Sequence, residues 1–240
     1  MNSINKTARM AGLLYLAIAV LSAFGLVYVP SLLVVPGDAT ATAKQLVASE
    51  SLFRLGFMSN LLAFTVNIFV AVLLYKLLEP VNKTMASLMV ILILVGIGIA
   101  MLNELNQFAA LLLLGGADSL AAFTTDQLQA LASLFLDMYE HGFVLAHIFF
   151  GLWLFPMGYL VFKSGFLPKV IGVLLVIAGV GYLVDFTLFF LFPAITVTVS
   201  EFTFVGEVAL LLWLLIKGVN VEQWKNTRLD LPKLAHAELS

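Results

Sequence analysis

From Met85 to Leu114 the chain carries a single charge, Glu104. As one helix that stretch is about 45 Å long, against a bilayer hydrocarbon core of about 30 Å. Lipid offers no hydrogen bonds to the backbone, so a run of this kind is stable there only as a helix. Its excess length predicts a tilted or protruding end. Five other runs read the same way, giving spans at about 11–33, 55–75, 85–105, 142–162, 170–190 and 202–216. The composition agrees. The chain is 62% hydrophobic and 11% charged, whereas soluble domains average about 45–50% and about 25%. So few charges could not cover a soluble core of this size.

The first run, from Ala11 to Val35, follows Lys6 and Arg9 and has the look of a secretory leader. It is longer than the roughly 7–15 residues of a leader's apolar region, so it is expected to be a membrane helix. Pro36 to Glu50 is a polar stretch. Lys76 to Lys83 and Lys163 to Lys169 are basic turns. Gly115 and Gly116 stop the third run. Thr124 with Gln127 three residues on signals a capping box. Leu128, Leu131, Leu134, Phe135 and Met138 then recur at helical spacing, which predicts an amphipathic helix over about 125–140 at the outer interface. Pro156 predicts a kink in the fourth span. The tail from Lys217 is polar and charged.

Six spans put ten of the twelve Lys and Arg residues on one side: Lys6, Arg9, Lys76, Lys83, Lys163, Lys169, Lys217, Lys225, Arg228 and Lys233. Lys44 and Arg54 fall on the other. Basic residues mark the cytoplasmic side. The expectation is an all-α, single-domain, multi-pass bundle of six transmembrane helices, with both termini cytoplasmic. The net charge of −2 leaves no basic footprint for nucleic acid. The absence of cysteine excludes disulfides and thiol chemistry. An oligomer is compatible with the sequence. No phosphate loop, nucleophile elbow or dinucleotide fingerprint occurs.

The same basic anchors serve as depth markers. Counting about 1.5 Å per residue, Asn60, His147, Asp185 and Glu201 each lie about 24 Å from the basic side, and Glu207 about 15 Å. Glu104, Glu140 and His141 lie higher, with Asn103, Asn106 and Gln107 beside Glu104. Glu140 and His147 are seven apart and share a helix face, flanked by Asp137 and His141. Gly151 continues that face and is expected to leave room there. Ionisable groups at membrane depth need a reason. Three are open. The leading one is an outward-facing polar pocket, lined by Glu104, Glu140, His141, His147, Asp185 and Glu207, for binding or transport of a small molecule or lipid. The second is a membrane-embedded, metal-dependent, hydrolase-like enzyme, with His141, His147 and Asp185 as candidate ligands. Against it, the two histidines are six apart, about 120° around the helix. The third is a structural or partner-binding module, in which the outer groups meet headgroups and His147 bonds Asp185. The sequence names no cofactor. Arg54 either snorkels to headgroups or pairs with Glu50, Glu104 or Glu201. Gly96 with Ala100, and Gly142 with Ala146, have the spacing of close helix contacts.

Three stretches carry a family resemblance. They are Asn2 to Arg9 leading into Gly12-Leu13-Leu14-Tyr15, Ser51 to Gly56, and above all Gly151 to Lys169 (GLWLFPMGYLVFKSGFLPK). Together they resemble a bacterial membrane family catalogued as domain of unknown function 4386. The resemblance spans nearly the whole chain. It implies a prokaryotic inner-membrane protein of several helices, and it carries no activity and no catalytic residue.

Overall fold

A computed structural model describes residues 3–116, 120–195 and 197–237, with side chains through Leu229. Asn2, Thr196 and the Lys233 side chain lie outside the described residues. No strand occurs among them. The helices are α1 (Ser3–Ser22), a π-helical turn (Ala23–Tyr28), α2 (Val29–Leu33), α3 (Ala39–Ala48), α4 (Glu50–Leu78), α5 (Lys83–Leu114) and α6 (Thr125–Leu152). They continue with α7 (Leu154–Lys163), α8 (Lys169–Leu191), α9 (Ser200–Thr203), α10 (Val205–Ile216) and α11 (Val221–Ala237). Five segments are long and apolar enough to cross a membrane: Ser3–Leu33, Glu50–Leu78, Lys83–Leu114, Thr125–Lys163 and Lys169–Leu191. A sixth is reached when Ser200–Ile216 and Val221–Leu229, bent by 103°, count as one span. On α5, Leu102 and Leu105 are 70% and 60% exposed, which suits lipid and not water.

Several boundaries differ from the sequence reading. The amphipathic stretch 125–140 is no separate element: it runs without a break into the fourth span as α6. The capping box at its start forms as expected. Thr124 N–H donates to Gln127 Oε1 at 2.9 Å, and Gln127 N–H to Thr124 Oγ1 at 3.3 Å. The Pro156 kink is a break at Trp153, between α6 and α7. Proline has no N–H for the Leu152 carbonyl, so the ladder opens one turn before it. The polar stretch after Pro36 contains α3, capped by the Asp38 carboxylate, which accepts the Ala41 N–H at 2.8 Å. The charged tail is helical as α11.

The chain divides into two compact units. Unit 1 comprises Met1–Leu16, Asn67–Ile97 and Ala146–Ser240. Its packing rests on glycine. A Cβ at Gly172 would lie 2.6 Å from the Gly158 carbonyl oxygen, and one at Gly158 2.7 Å from that of Gly172. Gly151 and Gly179 repeat this one heptad away, at 2.9 and 2.8 Å. α6 and α7 therefore meet α8 backbone to backbone, and Gly151 fills a contact where room was expected. Lipid gives helices no hydrophobic reason to associate, so close van der Waals approach of small residues supplies it. Gly12 likewise seats α1 on Leu214 and Leu215 of α10. Gly96 seats α5 on Phe149 and Phe150, as its spacing predicted.

The second basic turn folds on Ser164. Its hydroxyl donates to the Val161 carbonyl at 2.8 Å and accepts the Leu167 N–H at 3.2 Å, and Gly165 takes φ 71°. Trp224 of α11 is buried, and its indole N–H donates to the Leu77 carbonyl at 2.9 Å. That bond ties the tail helix to the end of α4.

Unit 2 comprises Ala17–Val66 and Gly98–Leu145. Its apolar core joins Val29, Leu33, Leu46, Phe53 and Leu111. α3 is held to the preceding turn by Thr42, whose hydroxyl accepts the Val35 N–H and donates to the Val35 carbonyl. Arg54 resolves as a partner of Glu50, 2.7 Å away and one helical turn back. Both side chains are about half exposed, so the pair contributes little to stability.

Candidate functional site

Unit 2 holds a cavity of about 360 Å³. It exists because the first apolar stretch changes winding. Pro30 has no N–H, so the bond it would return to Leu26 is missing. Upstream, the Val29 N–H reaches back five residues to the Phe24 carbonyl, and Ala23–Tyr28 becomes a π-helical turn. Such turns recur at functional sites. This one places Gly25 against α4, where a Cβ would overlap Oδ1 of Asn60. Gly25, Val29 and Leu33 form one side of the cavity, and Phe53 and Gly56 of α4 continue it. α5 adds Gln107. α6 closes it with Leu136, Tyr139, Phe143 and Val144, and sets Asp137 and Glu140, both exposed, in the same lining.

A polar chain lies behind this wall. Asn60 Nδ2 donates to the Tyr139 hydroxyl at 3.3 Å, and that hydroxyl donates to Glu104 Oε1 at 3.1 Å. Asn60 and Glu104 are each 1% exposed. The Tyr139 backbone is pinned too. Asn103 Nδ2 donates to its carbonyl at 2.7 Å, and Asn106 Nδ2 donates to Asn103 Oδ1 at 2.9 Å. Gly142 admits the Asn103 side chain, since a Cβ there would overlap it. Two buried acceptors, Asn60 Oδ1 and Glu104 Oε2, have no hydrogen-bond partner among the described residues. Unpaired buried polar atoms are rare because each costs about 1–3 kcal/mol.

Of the six residues expected to line one pocket, Glu140 lines this cavity and Glu104 stands one hydrogen bond behind it. His141, on the same helix, is exposed, and its Nδ1 lies 2.7 Å from the Asp137 carbonyl. The other three belong to unit 1. Glu207 accepts from Tyr15 at 2.7 Å and from Tyr182 at 3.0 Å, one tyrosine on each carboxylate oxygen. His147 meets the Tyr182 ring edge-on at 5.3 Å. Asp185 accepts the backbone N–H groups of Val199 and Ser200, capping α9 from α8. Among the described residues, no group of three or more His, Asp or Glu is placed to hold a metal ion, and this includes His141, His147 and Asp185.

Tyr139, Gly25 and the π-helical turn escaped the sequence reading. Tyr139 sits beside Glu140, which was noticed, but a lone tyrosine on a helix has no spacing signal. Pro30 was the available cue to irregular winding before it.

A family model described as "Domain of unknown function (DUF4386)" matches residues 10–218. The chain belongs to the DUF4386 family. A protein of Archaeoglobus fulgidus, itself described as uncharacterized, is 35% identical over 166 residues, covering 69% of this chain and 85% of the relative. No solved structure matches. The stretches that carried the resemblance now have physical roles in this DUF4386 chain. Gly151 to Lys169 holds half of the glycine contacts and the Ser164 turn. Gly12 and Tyr15 dock α1 on α10. Phe53 and Gly56 line the cavity.

Proposed function

We propose that this protein is an integral protein of the bacterial inner (plasma) membrane that binds a small molecule or lipid in the unit 2 cavity. The observation that carries the reading is a ligand-sized cavity backed by two buried, unpartnered acceptors. Small-molecule sites span about 300–1,000 Å³ and combine an apolar lining with a few polar groups; the 360 Å³ here fits. Glu104, Tyr139 and Asn60 are proposed to orient the ligand, and Glu140 to meet it at the rim. The excess of Lys and Arg in two of the turns and near both termini supports an orientation with those segments cytoplasmic and the cavity toward the outside. His147, Asp185 and Glu207 are proposed to hold unit 1 together, because Glu207 and Asp185 already engage both carboxylate oxygens within the protein.

The test is to purify the protein from its own membranes, extract it, and identify co-purifying small molecules by mass spectrometry. Val144→Trp, which fills the cavity, serves as the control. A species enriched with the unaltered protein and lost from the variant supports the reading. Identical extracts from the two contradict it.

A further inference from the structure

We infer that the ligand is a lipophilic cation, an apolar body carrying one protonated amine. The inference rests on the cavity reading and names its chemistry. Both carboxylates in the lining, Asp137 and Glu140, come from α6, three residues apart and on one face. No Lys or Arg is among the described lining residues. Arg54, one residue from the lining Phe53, pairs with Glu50. Three aromatic residues, Phe53, Tyr139 and Phe143, share the lining; the rings of Tyr139 and Phe143 stack 6.3 Å apart, and an aromatic ring attracts a cation to its face.

The hydrogen-bond inventory points the same way. Asn60 Oδ1 and Glu104 Oε2 are acceptors in want of donors. Asn60 Oδ1 sits where a Gly25 side chain would be, against the cavity wall. An ammonium is a pure donor with no lone pair. A carboxylate or phosphate would add acceptors to a wall already in excess of them, and would face two like charges. An uncharged apolar ligand would leave both lining carboxylates without any new partner. Apart from the Gln107 amide, the cavity's remaining surface is aliphatic and aromatic, which suits the body of the ligand and not a hydrated metal ion.

The experiment uses the full chain in phosphatidylcholine nanodiscs at neutral pH. Binding of three probes of one shape is measured by equilibrium dialysis, with empty nanodiscs subtracted: naphthylmethylamine, naphthylmethanol and naphthoate. Two exposed carboxylates favour the cation over its neutral analogue by on the order of tenfold. The expected order is amine, then alcohol, then acid. The Asp137→Asn/Glu140→Gln variant is expected to lose the amine's advantage over the alcohol, and its helical circular dichroism and unfolding midpoint report that the fold is intact. Equal binding of all three, or tightest binding of the acid, overturns the cation assignment. So does a variant that binds the alcohol normally and still prefers the amine. If the probes bind equally and Val144→Trp blocks them, the cavity reading stands and the cation alone is refuted. If no probe binds above empty nanodiscs, the cavity reading itself fails.

Discussion

Removing the Asp185 side chain tests the roles assigned to the membrane carboxylates. Its two oxygens accept the N–H groups of Val199 and Ser200, the latter at 2.9 Å, and the residue is 8% exposed. These N–H groups open α9, where no residue further along the helix can satisfy them. Hydrogen bonds to a charged group contribute about 1.5–3 kcal/mol each, and a carboxylate at a helix start adds about 0.3–1 kcal/mol. Asp185→Ala breaks both bonds and leaves one buried and one part-buried donor. Partial repair by water or by local rearrangement reduces the loss, so it is expected to destabilise by about 3 kcal/mol. Asp185→Asn keeps one acceptor oxygen and is expected to lose about half as much. The assay is reversible unfolding in mixed micelles, followed by helical circular dichroism against the mole fraction of dodecyl sulfate. Probe binding in the unit 2 cavity is measured on the same samples. The cap predicts graded stability loss with unchanged binding. Stability within about 0.5 kcal/mol of the unaltered protein for Asp185→Ala, or lost binding with unchanged stability in Asp185→Asn, refutes it.

Three other outcomes follow from the geometry. Glu207→Leu strands the hydroxyls of Tyr15 and Tyr182 and is expected to cost about 2–4 kcal/mol, whereas the triple variant with Tyr15→Phe and Tyr182→Phe removes both sides of the contact and recovers most of it; the same unfolding assay reads both. Gly172→Val drives a side chain into the Gly158 carbonyl and is expected to cost about 1–3 kcal/mol, while Gly98→Val, whose position has open space, changes stability little. Because the chain has no cysteine, single cysteines placed at Asn82 and Gly37 report sidedness without background. Only the Gly37 position is expected to react with an impermeant maleimide added outside intact cells, and the reverse pattern would invert the proposed topology.

The class of fold was legible because lipid imposes one rule on every backbone group. The long run with a single charge before Leu114, the Thr124 capping box and the Pro156 break all follow from local chemistry. The sixth segment was harder. Its apolar run is short, and it reads as a span only when two helices bent by 103° across the break that holds Gly218, φ 71°, are counted as one. The site was half legible. Glu104 and Glu140 stood out as charges in apolar surroundings, but what organises them is a tyrosine and a change of helical winding, and neither has a periodic signature. Counting depth along the helices grouped Asp185 and His147 with Asn60 by height alone. Height does not say which way a carboxylate turns, and Asp185 turns to a helix end.

The most direct test of the account is an experimental density map of the protein in nanodiscs, read between the π-helical turn at Ala23–Tyr28 and the face of α6 that carries Tyr139. The account predicts non-protein density against the Tyr139 ring, with Tyr139 still bonded to Glu104. A cavity filled by its own side chains, with Tyr139 turned away from Glu104, would contradict it.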